Sequence, residues 1–325
     1  MSVDATSPGA AGTGAAAKAA LLVEALPYIL RFYGKVVVVK YGGNALAGGE
    51  AVELAGQGTE AADEANALAS FAEDIVLMRS VGMLPVVVHG GGPQIAELLG
   101  RLGKVSEFRD GMRVTDAETL EIARMVLVGK VNRQIVSAVN VHGALAVGLS
   151  GEDARLITAV PRGGELGFVG DVEVVAPEIV HRLLAQGLIP VVATIGTDTA
   201  GQAYNINADA VAGALAAALE AEKLVFLTDV AGLRASGDDP ESLLRSVSLS
   251  DLEQMVSSGA ASGGMIPKAE ACIRALRAGV ARAHILDGRV PHALLLELFT
   301  DEGVGTMVAA GAATSGRALV PEAAP

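Results

Sequence analysis

The sequence predicts an α/β fold built on a mainly parallel sheet, and three observations carry the prediction. Val36-Val37-Val38-Val39 is a continuous β-branched run, the pattern of a strand buried on both faces. Similar apolar runs recur at residues 83–88, 188–194 and 224–227, with helical periodicity between them, the alternation of βα units. Nearly every run ends C-terminally in Gly, Asp, Thr or Lys; at that edge of a parallel sheet the loops meet and ligands bind.

The elements follow in order. Residues 1–14 are small and offer nothing to pack, so a disordered tail is expected. Leu22, Leu26, Ile29, Leu30 and Tyr33 recur at three- and four-residue steps. They predict a helix over 15–33 that Pro27 should kink or divide and that should pack on the chain's own core. The first strand ends in Lys40-Tyr41-Gly42-Gly43, where a cation and two glycines suit close approach of backbone to an anion. Residues 44–60 read as loop with some frayed helix, and 71–80 as a firm helix with Phe71, Ile75 and Met78 on one side.

The second strand runs into His89-Gly90-Gly91-Gly92-Pro93. Proline suits the first turn of the next helix. Three glycines exceed the need of a tight turn and cost entropy, which anion binding by free N–H groups at a helix N-terminus would justify. Residues 105–114 read as a hairpin ending in Gly111-Met112-Arg113. Thr115-Asp116-Ala117-Glu118 matches a capping box and opens a helix to about Val141, which Gly143 ends. A strand over 144–149, a small antiparallel excursion over 155–175, a helix over 177–186 and a strand over 188–194 come next.

Asn205-Ile206-Asn207-Ala208-Asp209 opens an Ala-rich helix to about Glu222; capping takes one of those three polar residues, not all. The 224–233 run ends in Thr228, Asp229 and Gly232, and 234–250 reads as an acidic loop. Gly263-Gly264 lead through Met265-Ile266-Pro267-Lys268 into a helix reaching Ala281. A strand at 283–286 ends in Asp287-Gly288, and residues past about Ala310 read as disordered.

Composition narrows the function. A formal net charge of −13 argues against general binding of nucleic acid or an anionic membrane but leaves room for a local anion site. Cys272 is the single cysteine, so no internal disulfide forms; its Ala-rich helical setting marks a buried structural thiol. A reducing compartment, the cytoplasm, fits. No apolar run reaches the roughly 20 residues of a membrane span, and the first residues lack a secretory pattern.

The chain has no G-x-x-x-x-G-K-[ST] and no G-x-G-x-x-G after a strand, so neither a P-loop nor a dinucleotide fingerprint is present. Its five histidines are scattered, without metal-ligand spacing. Two lysines beside glycines, three successive glycines and an Asn/Asp cluster remain. Lysines and glycine amides suit a phosphoryl group in transit, whose chemistry asks for positioning and charge neutralisation.

Five segments stand together in an order that resembles the acetylglutamate kinases of the amino-acid kinase family. They are Lys40-Tyr41-Gly42-Gly43-Asn44, His89-Gly90-Gly91-Gly92-Pro93-Gln94, Arg113-Val114-Thr115-Asp116, Asn205-Ile206-Asn207-Ala208-Asp209 and Gly264-Met265-Ile266-Pro267-Lys268. The resemblance covers residues 34–307. It implies a three-layer αβα sandwich around an open sheet, with an acetylglutamate-binding lobe over 34–203 and a nucleotide-binding lobe over 204–310. The implied reaction moves the γ-phosphoryl group of ATP, with Mg²⁺, to the side-chain carboxylate of N-acetyl-L-glutamate. Lys40 and Lys268 would stabilise the moving group and Asp209 would orient them. Gly43, Gly91, Gly92, Arg113, Asn205 and Asn207 would bind substrate, Arg113 through its α-carboxylate. Gly42, Thr228, Asp229, Gly264 and Met265 would meet the nucleotide. His89 would fix the glycine loop rather than move protons.

The segment around Leu26-Pro27-Tyr28-Ile29 is similar to the N-terminal helix of arginine-sensitive members, which interlace these helices into hexamers. That implies a homo-hexamer, a trimer of dimers, inhibited by L-arginine, with Tyr28, His292, Glu297 and Gly303 at the effector site. Some members also bind a PII-type signalling protein. Two departures stand out: residues 47–62 are longer and more acidic than the usual connection, and Glu152-Asp153-Ala154-Arg155 replaces a common Lys-Asp-Gly. The competing readings are a kinase for aspartate or a carrier-bound aminoadipate, and a silent arginine sensor. The short stretch after Met307 leaves no room for the added domains of aspartokinases.

Overall fold

The computed structural model describes residues 14–42, 59–109, 111–235, 239, 242–261, 263–300 and 303–311. Gly43, Asn44, most of the 47–62 segment and the two expected tails up to 13 and from 312 lie outside the described residues. Helix α1 (Ala15–Phe32) runs through Pro27 undivided. Strand β1 (Val36–Tyr41), helix α2 (Thr59–Ser80) and strand β2 (Leu84–His89) form the first βαβ unit; α2 starts well before the expected Phe71. Helix α3 (Gly92–Arg101) follows with Pro93 in its first turn, then the hairpin β3 (Phe108–Arg109) and β4 (Met112–Arg113).

Helix α4 (Ala117–Arg124) is capped by Asp116, whose Oδ1 accepts the Thr119 N–H at 2.8 Å. The capping box anchored on Thr115 is thereby corrected. Thr115 is buried and its hydroxyl donates to the Arg113 carbonyl, which leaves the cap to the next oxygen-bearing side chain. The helix continues as a π-helical segment (Met125–Val131) and then α5 (Asn132–Asn140). Next come β5 (Ala146–Ser150), β6 (Ile157–Pro161), β7 (Val169–Val175), α6 (Glu178–Ala185), β8 (Ile189–Ala193), β9 (Ile195–Thr197) and β10 (Ala203–Ile206). The last part holds α7 (Ala208–Ala218), β11 (Lys223–Thr228), β12 (Ser246–Ser248), α8 (Leu249–Ser257), α9 (Met265–Arg277), β13 (Arg282–Asp287), α10 (Ala293–Phe299) and β14 (Thr306–Ala309). The expected 234–250 loop therefore contains a strand and the first turn of α8. A three-residue strand with serine at both ends is too short for period-two patterning to register.

Eight strands make one sheet in the order β12-β14-β13-β11-β1-β2-β8-β5. Every pairing is parallel except that of β13 with β14. Strand β1 lies inside it, between β11 and β2, which is why four successive valines belong there. Alternation sends Val37, Val39 and Tyr41 into one core with α2, α3, α4, α5 and α10. Val38 goes into the other with α6, α7, α8 and α9. Helices cover both faces, a three-layer αβα sandwich. The antiparallel excursion is real but larger than read: β6 and β7 close with β9 and β10 into a four-stranded barrel.

Helix α1 corrects another expectation. Among its described side chains only Phe32, at its end, is buried, whereas Leu21, Leu22, Val23, Leu26 and Leu30 are exposed, Leu22 at 70%. The sheet face beside β1 is already covered by α2 and α10, so α1 finds no open core of its own chain. The periodicity is genuine, but among the described residues most of the stripe is left uncovered.

Candidate active site

Lys40 sits one residue before the end of β1, and alternation points it to the face where α7 begins. Asp209 is the second residue of α7, and Lys268 lies in the first turns of α9, which packs along α7. Lys40 Nζ is 2.9 Å from Asp209 Oδ1 and Lys268 Nζ is 3.1 Å from Oδ2. Lys40 and Asp209 are buried, and Lys268 exposes little of its side chain. Burial pushes the Asp209 carboxyl up, but the two ammonium groups outweigh it and hold the carboxyl below the ordinary carboxylate range. Asp209 is a fixed anion.

This trio forms the floor of a cleft of about 360 Å³. Gly42, the Gly90–Gly92 turn, Arg113, Asn205, Asn207, Thr228 and Asp229 line it, all near the C-terminal edge of the sheet, as the strand endings indicated. Two glycines answer to close packing. A Cβ on Gly42 would stand 2.8 Å from the Leu227 carbonyl oxygen, and one on Gly91 2.7 Å from Leu127 Cδ2. Gly92 is different: a Cβ there would meet no protein atom within 4 Å.

Arg113, on β4, is buried without a carboxylate partner among the described residues. Its Nη2 donates to the Gly92 carbonyl at 2.8 Å, Nη1 donates to Ser106 Oγ, and its guanidinium lies 4.7 Å from the Phe108 ring centre. Burial pushes its pKa down. Gly92, Ser106 and Phe108 hold the fork in place. Asn205 Nδ2 donates to Thr115 Oγ1 at 3.4 Å. Asn207 is the single cap expected from the Asn/Asp cluster: its Oδ1 accepts from the N–H groups of Asp209 (2.9 Å) and Ala210 (3.2 Å). Thr228 Oγ1 donates to Asp229 Oδ1 at 3.0 Å. Gly264 and Met265 stand at the start of α9, where Lys268 reaches the Gly264 carbonyl at 3.4 Å, but neither lines the cleft. Gly43 lies outside the described residues.

The four residues expected at an effector site fall in two places. Glu297, on α10, exposes little of its side chain; its Oε1 lies 2.6 Å from His284 Nδ1 and its Oε2 accepts the Val304 N–H at 2.8 Å. Gly303 lies against that carboxylate. Tyr28 belongs to α1, which packs on α10. His292 is apart, with Nδ1 2.6 Å from Asp74 Oδ1 on α2. Sequence reasoning missed Lys223, Ser106 and Phe108, which no periodicity marks. It also missed Asn132, whose signal was legible: a polar residue at helical spacing from Ile135 and Val139, which are buried.

The model of the amino acid kinase family matches residues 35–287, from just before β1 to the end of β13. The chain belongs to the amino acid kinase family. Within it, the chain is 52% identical over 305 residues to an acetylglutamate kinase of Moorella thermoacetica, covering 90% of this chain and 98% of that one. It is 54% identical over 300 residues to an acetylglutamate kinase of Symbiobacterium thermophilum, covering 90% and 97%. Among solved structures, the N-acetylglutamate synthase of Neisseria gonorrhoeae complexed with coenzyme A and N-acetyl-glutamate superposes with a TM-score of 0.76 at 26% identity. This chain covers 64% of that longer one. The same synthase complexed with coenzyme A and L-arginine gives 0.74. Carbamate kinase from Giardia lamblia shares the amino acid kinase fold, with a TM-score of 0.60 at 16% identity.

Proposed function

We propose that this chain transfers the γ-phosphoryl group of ATP to the side-chain carboxylate of N-acetyl-L-glutamate, the acetylglutamate kinase step of arginine biosynthesis. The observation that carries the reading is full-length similarity to acetylglutamate kinases in a chain whose cleft sets two lysines on one carboxylate. The acceptor carboxylate, with a solution pKa of about 4.3, is ionised at neutral pH and needs no general base. Its oxygen attacks the γ-phosphorus, the bond from that phosphorus to the β,γ-bridging oxygen breaks, and ADP leaves with the electron pair. The obstacle is repulsion between two anions. Lys40 and Lys268 reduce it by facing the transferring group from two sides, while Asp209 keeps both in place.

Arg113 would grip the α-carboxylate, since a planar fork held by Gly92, Ser106 and Phe108 matches a bidentate anion that lysine cannot copy. The open space at Gly92 leaves its N–H reachable by substrate, alongside Gly43, Gly91, Asn205 and Asn207. Thr228, Asp229, Gly42, Gly264 and Met265 would serve the nucleotide. The acceptor lobe then spans 34–203 and the nucleotide lobe 204–310, with the cleft between them. Among the described residues no cluster of three His, Cys, Asp or Glu side chains is placed to hold a metal ion, and both Asp209 oxygens face lysines. Mg²⁺ is proposed to accompany ATP, where it would neutralise phosphate charge, a common mode for this ion.

L-arginine is proposed as inhibitor, bound where α1 meets α10 near Glu297 and Gly303; the related synthase crystallised with L-arginine supports the choice. The exposed apolar residues of α1 support assembly of copies through that helix into a hexamer. No helix among the described residues is long and apolar enough to cross a membrane; a cytoplasmic location is proposed on the composition, with its single cysteine. A PII-type protein is a further proposed partner, to be tested by co-sedimentation. The decisive experiment measures ADP release with N-acetyl-L-glutamate, aspartate and 2-aminoadipate, each with and without L-arginine. Turnover on N-acetyl-L-glutamate alone, suppressed by arginine, is expected; turnover on another acceptor instead would overturn the substrate.

A further inference from the structure

Asn132, first residue of α5, is fully buried beneath the glycine turn, yet it faces neither cleft nor solvent. It follows directly on the π-helical segment, a local irregularity that often marks functional ground. We propose that Asn132 is a positioning residue: through the His89 ring it fixes the Gly90 carbonyl, and so the orientation of the Gly90–Gly92 turn at the cleft.

Hydrogen accounting decides the direction of each bond. Asn132 Nδ2 lies 2.9 Å from the Val191 carbonyl oxygen and 3.4 Å from that of Leu149. Carbonyl oxygens only accept, so the amide must present its NH₂ end to them, and its Oδ1 accepts from Arg133. The same Nδ2 is 3.1 Å from His89 Nε2, and an amide nitrogen only donates. His89 Nε2 is therefore bare, and its proton sits on Nδ1. Nδ1 lies 2.9 Å from the Gly90 carbonyl oxygen, an acceptor that requires that proton. Both ends of the ring demand one tautomer. The ring stays neutral as well, since burial pushes its pKa down to about 4.

With two hydrogens the amide bonds the Val191 carbonyl of β8 and the His89 ring at the end of β2, the Leu149 carbonyl of β5 being a longer contact, and through the ring it holds the first peptide of the turn. From the other side Leu127 of the π-helical segment presses on Gly91. A turn of three glycines would otherwise have wide conformational freedom. Asn132 and His89 remove it without placing a side chain in the cleft.

The effect on turnover rests on the kinase reading; the tautomer and the rigidity of the turn do not. Nitrogen NMR on the full chain with labelled histidine should show His89 protonated at Nδ1, bare at Nε2 and unchanged from pH 5.5 to 8, a range that lies wholly above its titration at about 4. His89→Asn places an amide N–H where Nδ1–H stood, whereas His89→Ala removes it. Amide hydrogen exchange at Gly90–Gly92 should quicken in His89→Ala and stay near the parent rate in His89→Asn. KM for N-acetyl-L-glutamate should rise about tenfold in His89→Ala, the scale of a lost buried hydrogen bond, and be restored towards the parent value by Asn. Asn132→Asp, equal in shape but unable to donate, sets an acceptor against each ring nitrogen and should draw a proton onto Nε2 while Nδ1 keeps its own. A parent His89 carrying its proton on Nε2, or equal exchange at the turn in the Ala and Asn variants, would overturn the proposal. If Asn132→Asp does not fold, the parent spectrum and the His89 pair still decide it. Slow exchange and the Nδ1 tautomer in a protein that fails to phosphorylate N-acetyl-L-glutamate would keep the proposal and remove the kinase reading.

Discussion

His89 and His284 are both fully buried, and burial pushes both imidazoles down to about 4. Around them the chain behaves differently. Both His89 nitrogens meet partners of the same chain, and the Lys40–Asp209–Lys268 floor nearby balances its charges internally. His284 has Glu297 on Nδ1, but among the described residues its buried Nε2 has no partner. Beside it Lys223 is held under the Phe32 ring, and burial pushes its ammonium down to about 8. Above this cluster α1 offers apolar residues to solvent. A buried polar group left unpaired costs about 1–3 kcal/mol. Among the described residues the floor pairs its charges within one chain, Asp209 Oδ1 meeting Lys40 as an ion pair, whereas His284 Nε2 is unpaired and the apolar face of α1 is exposed.

The largest expected effect tests the paired floor. Lys268→Ala should lower kcat by about two to three orders of magnitude, the range for removing one preorganised charge-stabilising donor, with KM for N-acetyl-L-glutamate little changed. A kcat within a factor of two of the parent would break the assignment. Arg113→Lys keeps the charge but loses the fork, and KM for the acceptor should rise about tenfold while KM for ATP stays put; equal effects on both would place Arg113 elsewhere. On the α1 side, Glu297→Gln should abolish inhibition by L-arginine while kcat without arginine remains, as read from turnover across an arginine titration.

Acidity separates the same regions more gently. On acid unfolding each buried histidine takes up a proton that the native state binds only near pH 4, so stability should fall as pH drops from about 6.5 towards 4. Asp74 opposes part of this: burial raises it to about 6, so the native state takes its proton first and gains stability as pH falls through that value. His89→Asn should flatten the fall in denaturant midpoints across this window; an unchanged slope would mean His89 does not titrate as its burial implies. The smallest effect lies outside both regions. Ala154 has φ of 51°, a left-handed conformation costing a side chain about 1 kcal/mol, so Ala154→Gly should raise stability by about that amount in urea melts.

Much of the fold was legible because buried parallel strands write themselves as runs such as Val36–Val39, and the glycine and lysine endings marked the ligand edge. What escaped depended on tertiary context. The direction in which α1 presents its apolar stripe is set by α2 and α10 already occupying the sheet face, which no local pattern encodes. The cap passed from Thr115 to Asp116 because the Thr115 hydroxyl was spent on the Arg113 carbonyl. Strand β12 was too short to show a period. Within the site, Lys40, Asp209, Lys268 and Arg113 could be named from their motifs, whereas Asn132, Ser106 and Phe108 act through side-chain contacts that appear only on folding.

The most direct test of the contrast compares the parent chain with Leu26→Glu/Leu30→Glu, charging the exposed face of α1, for turnover of N-acetyl-L-glutamate with and without L-arginine, alongside mass by light scattering. A smaller assembly is expected that still phosphorylates N-acetyl-L-glutamate at near-parental kcat and no longer responds to arginine. Loss of turnover in the smaller species would contradict it, since the catalytic floor would then depend on the very surface it is held to do without.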